Sequence, residues 1–551
     1  MSELIKKIRE SVIGDKTNIQ TPFGNKPLVY ADYTASGRSL TFIEDFVREK
    51  VLPFYANTHT ESSYTGAYTT ALREEARHII RHAVNGTEDD QVIFCGPGAT
   101  AVINKLIGAL NIRLPRELSD KYNLDDIIPP EHRPVVFIGP YEHHSNELPW
   151  RESIAEVVPI PLTSSGHIDL RVLESELKKY QSRSMLIGSF SAASNVTGIR
   201  SNIQAVTGIL KRNGALSFWD YAAAAPYVGI NMNGEAAMDA VFISAHKFVG
   251  GPGTTGVLIA KKAILQNSVP VVVGGGTVIY VSPEDHAYVE DPERREEGGT
   301  PGIVESIRTG LVFKLQQEVG TDEIERREHQ FVRAALARFE ACDNLDILGS
   351  TEAPRLSIIS LRFTDSDKDL HYGFVVSLLN DLFGIQVRGG CSCAGPYGHA
   401  LLGIDMDHSR AIEAEILRGS GILRPGWVRL NFNYFIDDDE FEYLVHAVEL
   451  IAENGWRLLP HYHFSDERGT WHFKGVETPI CNSLNTLRFA EHAPAPLVAG
   501  PKPNLKQICK EAEETFIRDY GKSCFSVDLT AEAERLRWFR LPQEVVKRLG
   551  T

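Results

Sequence analysis

The chain of 551 residues contains no apolar run approaching the roughly 18 residues that a membrane-spanning helix needs. Its opening segment, Met1-Ser-Glu-Leu-Ile-Lys-Lys-Ile-Arg-Glu10, carries charge throughout and does not read as a secretion signal. Positive charge is also in deficit. The 57 Lys and Arg face 72 Asp and Glu, and the formal net charge of −15 repels phosphates, which argues against nucleic acid or an anionic membrane as the main partner. Cysteine is sparse and scattered, at positions 95, 342, 391, 393, 481, 509 and 524. That odd, spread set does not read as a disulfide framework and suits the reducing cytoplasm. No internal repeat is present. What the chain does have is 43% hydrophobic residues over its full length, enough for a sizeable core and two or three domains.

Short apolar runs ending in turn residues are the organising pattern. Val92-Ile-Phe-Cys95 reads as a strand, Gly96-Pro-Gly98 as its turn, and Thr100 onward as a helix with Val102, Leu106 and Leu110 on one face. The free N–H groups at such a helix start favour a phosphate. Val135-Val-Phe-Ile138 leads through Gly139-Pro140 into Glu142-His143-His144-Ser145-Asn146, where an imidazole can lie over a flat ring or serve as a plain loop histidine. A strand around Met185 to Ser189 runs into Ser194-Asn195-Val196-Thr197-Gly198. Ala215-Leu-Ser-Phe-Trp219 delivers Asp220, a carboxylate that needs a partner if the strand is buried. Finally Asp239-Ala-Val-Phe-Ile243 runs out into Ser244-Ala245-His246-Lys247-Phe248-Val249-Gly250-Gly251-Pro252-Gly253. Lys247 there is either an ordinary lysine before a turn or an amine whose desolvation makes it a nucleophile.

Taken together, these strings resemble the class V aminotransferase family of pyridoxal-phosphate enzymes, fold type I, in its cysteine desulfurase/selenocysteine lyase branch. The matching strings are Tyr30-Ala-Asp32-Tyr-Thr-Ala-Ser36, Gly98-Ala-Thr100-Ala-Val-Ile-Asn104, Glu142-His143-His144-Ser-Asn146, Ser194-Asn195-Val-Thr-Gly198, Asp220, Ser244-Ala-His246-Lys247, Glu297-Gly-Gly-Thr300-Pro301, Arg388-Gly-Gly-Cys-Ser-Cys393-Ala394 and Val428-Arg429. The resemblance runs from about Leu28 to Glu453. It implies an α/β fold with a mostly parallel central sheet in a large domain and a smaller α/β domain, followed by an extra C-terminal segment. It also implies pyridoxal 5′-phosphate as cofactor and an amino acid as substrate. Lys247 would carry the cofactor as a Schiff base, Asp220 would hold the pyridine nitrogen protonated, and His143 would stack on the ring. Asn195 would reach the ring hydroxyl and the substrate. Ala99, Thr100, Ser244 and His246 would hold the phosphate. Thr300 is similar to the threonine that reaches the phosphate of a neighbouring subunit, so a homodimer is implied. Arg429 matches the arginine that binds the substrate carboxylate, with Arg388 next in line.

The branch rests on Cys393. Arg388-Gly389-Gly390-Cys391-Ser392-Cys393-Ala394 fits the Arg-x-Gly-x-x-Cys-Ala spacing of the desulfurases, and a thiolate on a glycine-rich loop near arginines is a competent nucleophile toward sulfur. There are departures from the family pattern. Ala223 stands where a glutamine is usual, and Ser63 where Asn57-Thr-His59 would be followed by a second histidine. Cys391 is an extra thiol that either resolves a persulfide into an internal polysulfide or disulfide, or just fits. Three readings follow. One is a desulfurase or selenocysteine lyase that leaves a persulfide on Cys393 and passes its sulfur to an acceptor protein. A second is another pyridoxal-phosphate reaction, such as transamination, C–S lysis or epimerisation. The third is a non-catalytic binding module on the same fold.

The expected organisation is an N-terminal arm, 1–27, a large domain, 28–310, a small α/β domain, 311–453, and an extension, 454–551. Val304 to Phe339 reads as one long amphipathic stretch, and Ile385-Gln-Val-Arg388 and Trp427-Val-Arg-Leu-Asn-Phe432 as strands. Arg113 to Arg133 reads as a surface excursion. In the extension, His461-Tyr-His463 alternates like a strand with both rings on one face, beside His472, Trp456 and Trp471. No ligand at a diagnostic interval accompanies them, so no metal site is assigned. Ala493 to Pro503 reads as a proline-rich connector and Lys506 to Tyr520 as a helix.

Overall fold

The apolar runs become the strands of one seven-stranded sheet: β1 (Asp90–Cys95), β2 (Val135–Ile138), β3 (Glu156–Pro159), β4 (Leu186–Ser191), β5 (Leu216–Asp220), β6 (Ala240–Ser244) and β7 (Gly256–Lys261). Their order is β1-β7-β6-β5-β4-β2-β3. Strand β7 is antiparallel to both neighbours, and the remaining neighbouring pairs are parallel. Apart from the edge strand β3, whose ends are exposed, these strands are buried on both faces and so are apolar along their length rather than at alternate positions. One consequence carries the function. The C-terminal ends of β1, β2, β4, β5 and β6 all lie along a single edge of the sheet, where ligands of open α/β sheets bind.

The computed structural model describes residues 2–58, 60–475, 484–486, 488, 504–521 and 524–549, and they form two compact units. The larger holds the chain up to Ser11, Thr34–His329 and Glu352–Leu356; the smaller holds Val12–Tyr33, Gln330–Thr351 and the chain from Ser357. Of the segment before Thr34, only Val12–Tyr33 groups with the smaller unit, and the chain crosses between the units again after His329. In the larger unit, helices α1 (Tyr64–Ala83) and α2 (Gly98–Ala109) flank β1 in sequence. Val102, Ile103, Leu106 and Ile107 of α2 are fully buried against Ile93, Phe218, Phe242 and Leu258, each contributing about 1.5–3 kcal/mol. The stretch expected as one amphipathic helix is two, α3 (Ile303–Val319) and α4 (Thr321–Glu340), parted at Gly320 with φ of +84°. A left-handed glycine ends a helix more strongly than a continuous apolar pattern extends it. The excursion at 113–133 contains short helical turns over Arg116–Tyr122 and Leu124–Ile127, mostly exposed.

Edge strand β1 offers unpaired backbone groups, and side chains cover them. The N–H groups of Val92 and Phe94 donate to Glu293 Oε1 at 2.6 Å and Glu297 Oε1 at 2.7 Å, while Arg77 donates to the Val92 carbonyl. Arg73 and Arg77 of α1 pair with Glu297, and Arg81 with Glu293. Burial alone would raise the Glu297 carboxyl, but Arg77 and Arg73 override it and hold it below its ordinary value. The ladder closes the sheet edge and fixes the chain just before Gly298-Gly299-Thr300.

The smaller unit has an antiparallel sheet of β8 (Leu345–Ile347), β9 (Ile358–Asp365), β10 (Arg388–Gly390) and β11 (Trp427–Asn431), ordered β8-β9-β11-β10. The expected strand Ile385 to Arg388 is split. Ile385–Gln386 pairs in parallel with Val29–Tyr30, and Arg388 begins β10 on a different partner. Helices α5 (Tyr372–Phe383), α6 (Gly395–Leu402), α7 (Asp438–Asn454) and α8 (Leu505–Ile517) are among those that accompany it. The extension belongs to this unit. His371, fully buried just before α5, accepts at Nδ1 from Gly373 N at 3.0 Å and Trp471 Nε1 at 3.1 Å, and its ring stacks on Trp538 at 5.4 Å. Burial drives its pKa down to about 3, so it is a neutral packing ring. His461 and His463 do not share a strand face. His461 closes a 3₁₀ turn, and only His463 is in a strand, opposite His472. The connector 493–503 and Cys481 lie outside the described residues.

Candidate active site

The ends of β1 and β6 meet through a glycine. Gly256 of β7 is in register with Cys95 on one side and Ser244 on the other, and a Cβ there would run into the Gly98 carbonyl. Because Gly256 has none, the start of α2 drops onto the β6 end. Ala99 N donates to Ser244 Oγ at 2.9 Å. A Cβ built on Gly98, which has φ of +55°, would lie 3.0 Å from Ser244 Oγ and 3.5 Å from His246 Nε2. Helix α2 has no side-chain cap, so its first N–H groups, the Ser244 hydroxyl and the His246 imidazole form one donor-lined cradle suited to a phosphate. Burial first, and then the Lys247 charge, lower His246 to about 4. It is therefore neutral at pH 7 and able to donate one N–H.

Lys247 ends a 3₁₀ turn immediately after β6. The turn is clamped by residues 36–38: Gly37 N donates to the His246 carbonyl at 2.8 Å, Ser36 Oγ to the same oxygen at 3.3 Å, and Gly250 N to the Arg38 carbonyl at 2.7 Å. Asp220, the last residue of β5, is 4% exposed and accepts from Ala222 N at 2.8 Å. Burial raises its pKa, against the Ala222 N–H and the positive charge of Lys247. A buried carboxylate at the open end of a strand is the acceptor that a protonated pyridine nitrogen would need.

On the neighbouring strand ends, His143 Nδ1 accepts from Ser145 N at 3.1 Å, and Ser145 Oγ lies 2.6 Å from Thr100 Oγ1. The histidine loop is thereby tied to the cradle, with its Nδ1 turned toward Ser145. Asn195 is buried within a turn in which Ser194 Oγ accepts from Val196 N and Thr197 N, both at 3.1 Å. Sequence reasoning gave Glu142 no role. It anchors the loop, accepting from Gly139 N at 3.2 Å, Ser191 N at 3.0 Å, Ser191 Oγ at 2.6 Å and Asn146 Nδ2 at 2.7 Å. Burial nevertheless pushes its carboxyl up to about 7. Thr300 Oγ1 accepts from Asn57 Nδ2 at 3.3 Å. Ser63, where a histidine is usual, caps α1 by accepting from Gly66 N at 3.2 Å. His59 lies outside the described residues.

In the smaller unit, Arg388 and Arg429 face each other across β10 and β11 in direct register, so both guanidinium groups leave the same face of the sheet. Arg429 is 3% exposed and its Nη2 donates to Asp32 Oδ1 at 2.9 Å. Asp32 is a second residue the sequence left without a role; it aims the fork. Beyond β10 the chain makes a tight turn. Ala394 N donates to the Cys391 carbonyl at 3.2 Å, and Ser392 and Cys393 have φ of +54° and +57°. This is a type I′ turn with two non-glycine residues at its centre. Both cysteines are free and exposed.

The chain matches the family model described as aminotransferase class-V over residues 29–420. Among curated proteins it is similar to a probable cysteine desulfurase of Halalkalibacterium halodurans, 29% identical over 374 residues, or 67% of this chain and 85% of that one. It is also similar to a probable cysteine desulfurase of Streptomyces coelicolor, 28% identical over 67% of this chain and 84% of the other. Among solved structures, a cysteine desulfurase from Thermococcus onnurineus superposes with a TM-score of 0.65 at 22% identity, covering 82% of this chain and 99% of its own. One from Escherichia coli gives 0.63 at 20% identity, covering 82% and 98%. These structures establish the fold.

Proposed function

The chain belongs to the aminotransferase class-V family, and from that membership we propose that it is a pyridoxal-phosphate-dependent enzyme that removes sulfur from cysteine, leaving alanine and a persulfide on Cys393. The observation that carries the cofactor half is the convergence of the Gly98, Ser244 and His246 cradle, buried Asp220 and Lys247 on one edge of the sheet. The sulfur half is supported by Cys393 at the tip of its turn and by the names of the curated relatives.

When bound, pyridoxal phosphate supplies an electron sink for bonds broken at the α-carbon of an amino acid. The residues of the chain have distinct tasks. The first turn of α2, Ser244 and His246 hold the phosphate, with Ala99 and Thr100 supplying backbone N–H groups. Asp220 keeps a proton on the ring nitrogen, His143 covers the ring face, and Asn195 reaches the ring hydroxyl. The Lys247 amine holds the cofactor and, once displaced by substrate, moves the α-proton. Arg429, aimed by Asp32, takes the substrate carboxylate in a fork that Lys would not reproduce. The Cys393 thiolate attacks the substrate sulfur, forming an S–S bond as the C–S bond breaks. We extend the proposal to selenocysteine as an alternative substrate, to a homodimer in which Thr300 completes a neighbouring phosphate site, to an acceptor protein for the sulfur, and to the cytoplasm. The free thiols of Cys95, Cys342, Cys391, Cys393, Cys509 and Cys524 favour a reducing compartment. Among the described residues no helix is long and apolar enough to cross a membrane.

A second reading, another reaction of the same cofactor with Cys393 incidental, is favoured by Ser63 serving as a helix cap and by Ala223 in place of a ring-contacting glutamine. One experiment separates the two. The purified protein is supplied with cysteine and other amino acids, and alanine, sulfide and keto acid are measured together. Alanine and sulfur in equal amounts from cysteine support the first reading. Keto acid or pyruvate in their place supports the second.

A further inference from the structure

The loop after β10 holds two thiols where the sulfur step needs one. Cys391 and Cys393 occupy the first and third positions of a four-residue turn that is fixed at both ends. Gly389 and Gly390 are pinned in the β10–β11 ladder, and α6 begins at Gly395 with Pro396 in its first turn. The approach is tight: a Cβ on Gly389 would lie 2.7 Å from Tyr372 Cδ2, and one on Gly426 would lie 2.7 Å from the Gly390 Cα. Tyr372 also feels Cys391 directly, since its hydroxyl is raised by burial and then by that thiol. The turn is thus held closed, and both sulfurs are exposed at its tip. In a β-turn the outer Cα atoms approach within about 7 Å, and residues two apart fall within the roughly 4.4–6.8 Å range that a disulfide spans. Ser392 and Cys393 both bear the cost of left-handed backbone, which a glycine would avoid; strain of this kind collects where a loop must present particular atoms.

We propose that Cys391 and Cys393 act as a dithiol that discharges the sulfur: the Cys391 thiolate attacks the inner sulfur of the Cys393 persulfide, expels hydrosulfide and closes a Cys391–Cys393 disulfide. The inference rests on the desulfurase reading given above. The step balances. The S–S bond between Cys393 and the outer sulfur breaks as the bond between the two cysteine sulfurs forms. The outer sulfur leaves as sulfide with two electrons, and the two cysteines are oxidised by the same two. A disulfide closed over a single intervening residue is strained and therefore readily reduced, and a dithiol reductant, small or proteinaceous, returns both thiols for the next turnover. The loop consequently releases sulfide when a dithiol is available, in competition with transfer of the Cys393 sulfur to an acceptor.

The test gives the holoenzyme one equivalent of cysteine per chain without added reductant, followed by acid quenching and alkylation. Wild type should show a loop peptide lacking two hydrogens and refusing the alkylating agent, with sulfide equal to alanine. In Cys391→Ser the peptide should carry one added sulfur on Cys393, and the ratio of sulfide to alanine should fall at least tenfold. Wild type that forms alanine yet keeps added sulfur on Cys393 with Cys391 alkylated overturns the dithiol. If no alanine forms, the desulfurase reading fails instead. Inorganic polysulfide applied to the same two proteins then tests the dithiol alone: disulfide in wild type against retained sulfur in Cys391→Ser supports it, and identical peptides reject it.

Discussion

The cofactor edge of the large sheet and the cysteine turn of the smaller unit are built by opposite means. At the sheet edge the supporting groups are buried and answered: Glu142 takes four donors, Asp220 takes Ala222, and the Ser244 hydroxyl takes Ala99. The only left-handed residue in the cradle is a glycine, Gly98. At the turn the reactive atoms are exposed and two non-glycine residues sit in the left-handed region. The difference teaches a division of labour. Under the proposed reaction, a group that must hold one electronic state is desolvated and locked, whereas a group that must take sulfur and pass it on is presented on a short strained loop.

Asp220→Asn should break the locked side most severely. An amide cannot keep a proton on the ring nitrogen, so turnover should fall at least about a thousandfold, ~4 kcal/mol of barrier, while the phosphate cradle retains cofactor. Steady-state kinetics and cofactor absorbance measured together check this. Glu142→Gln comes next, through pH. The folded pKa of Glu142 is raised from 4.5 to about 7, so the folded state binds a proton more tightly than the unfolded one. The stability this contributes is complete below 4.5 and is lost as pH rises to 7, roughly 3 kcal/mol at most. Denaturant titrations should show wild type losing stability over that window relative to Glu142→Gln, and parallel curves would remove Glu142 as a titrating lock. Arg429→Lys keeps charge but not the fork, and should raise KM about tenfold, ~1.4 kcal/mol, with cofactor content unchanged. The smallest effect is on the strained side. Ser392→Gly relieves one left-handed residue and should stabilise the protein by about 0.5–1 kcal/mol, read as a higher Tm; a lower Tm would mean that the turn is not strained.

The contrast also explains what the sequence made legible. Val135 to Ile138 and Ala240 to Ser244 were readable as strands because a doubly covered strand is apolar throughout, and Asp220 and Lys247 stood out as candidates because they interrupt that apolarity. Cys393 stood out as a candidate by its spacing to Arg388. The supports were not. Asp32 and Glu142 lie inside matching strings, yet nothing local says that one aims Arg429 and the other collects donors from Gly139, Asn146 and Ser191. The rule that a buried carboxylate must be paired, already applied to Asp220, would have flagged both. The division at Gly320 and the split between Gln386 and Arg388 were missed because apolar periodicity ran on across residues whose backbone conformation or pairing partner changes. His461 and His463 alternate in sequence, but one ends a helical turn and only the other enters a strand.

Lys247 is the residue on which the proposed chemistry depends. The purified protein, loaded with pyridoxal phosphate, reduced with borohydride and digested, should yield the peptide containing Lys247 with the reduced cofactor attached to its side chain, and Lys247→Ala should yield none. Recovery of the Lys247 peptide unmodified from reduced, cofactor-loaded wild type would contradict the reading.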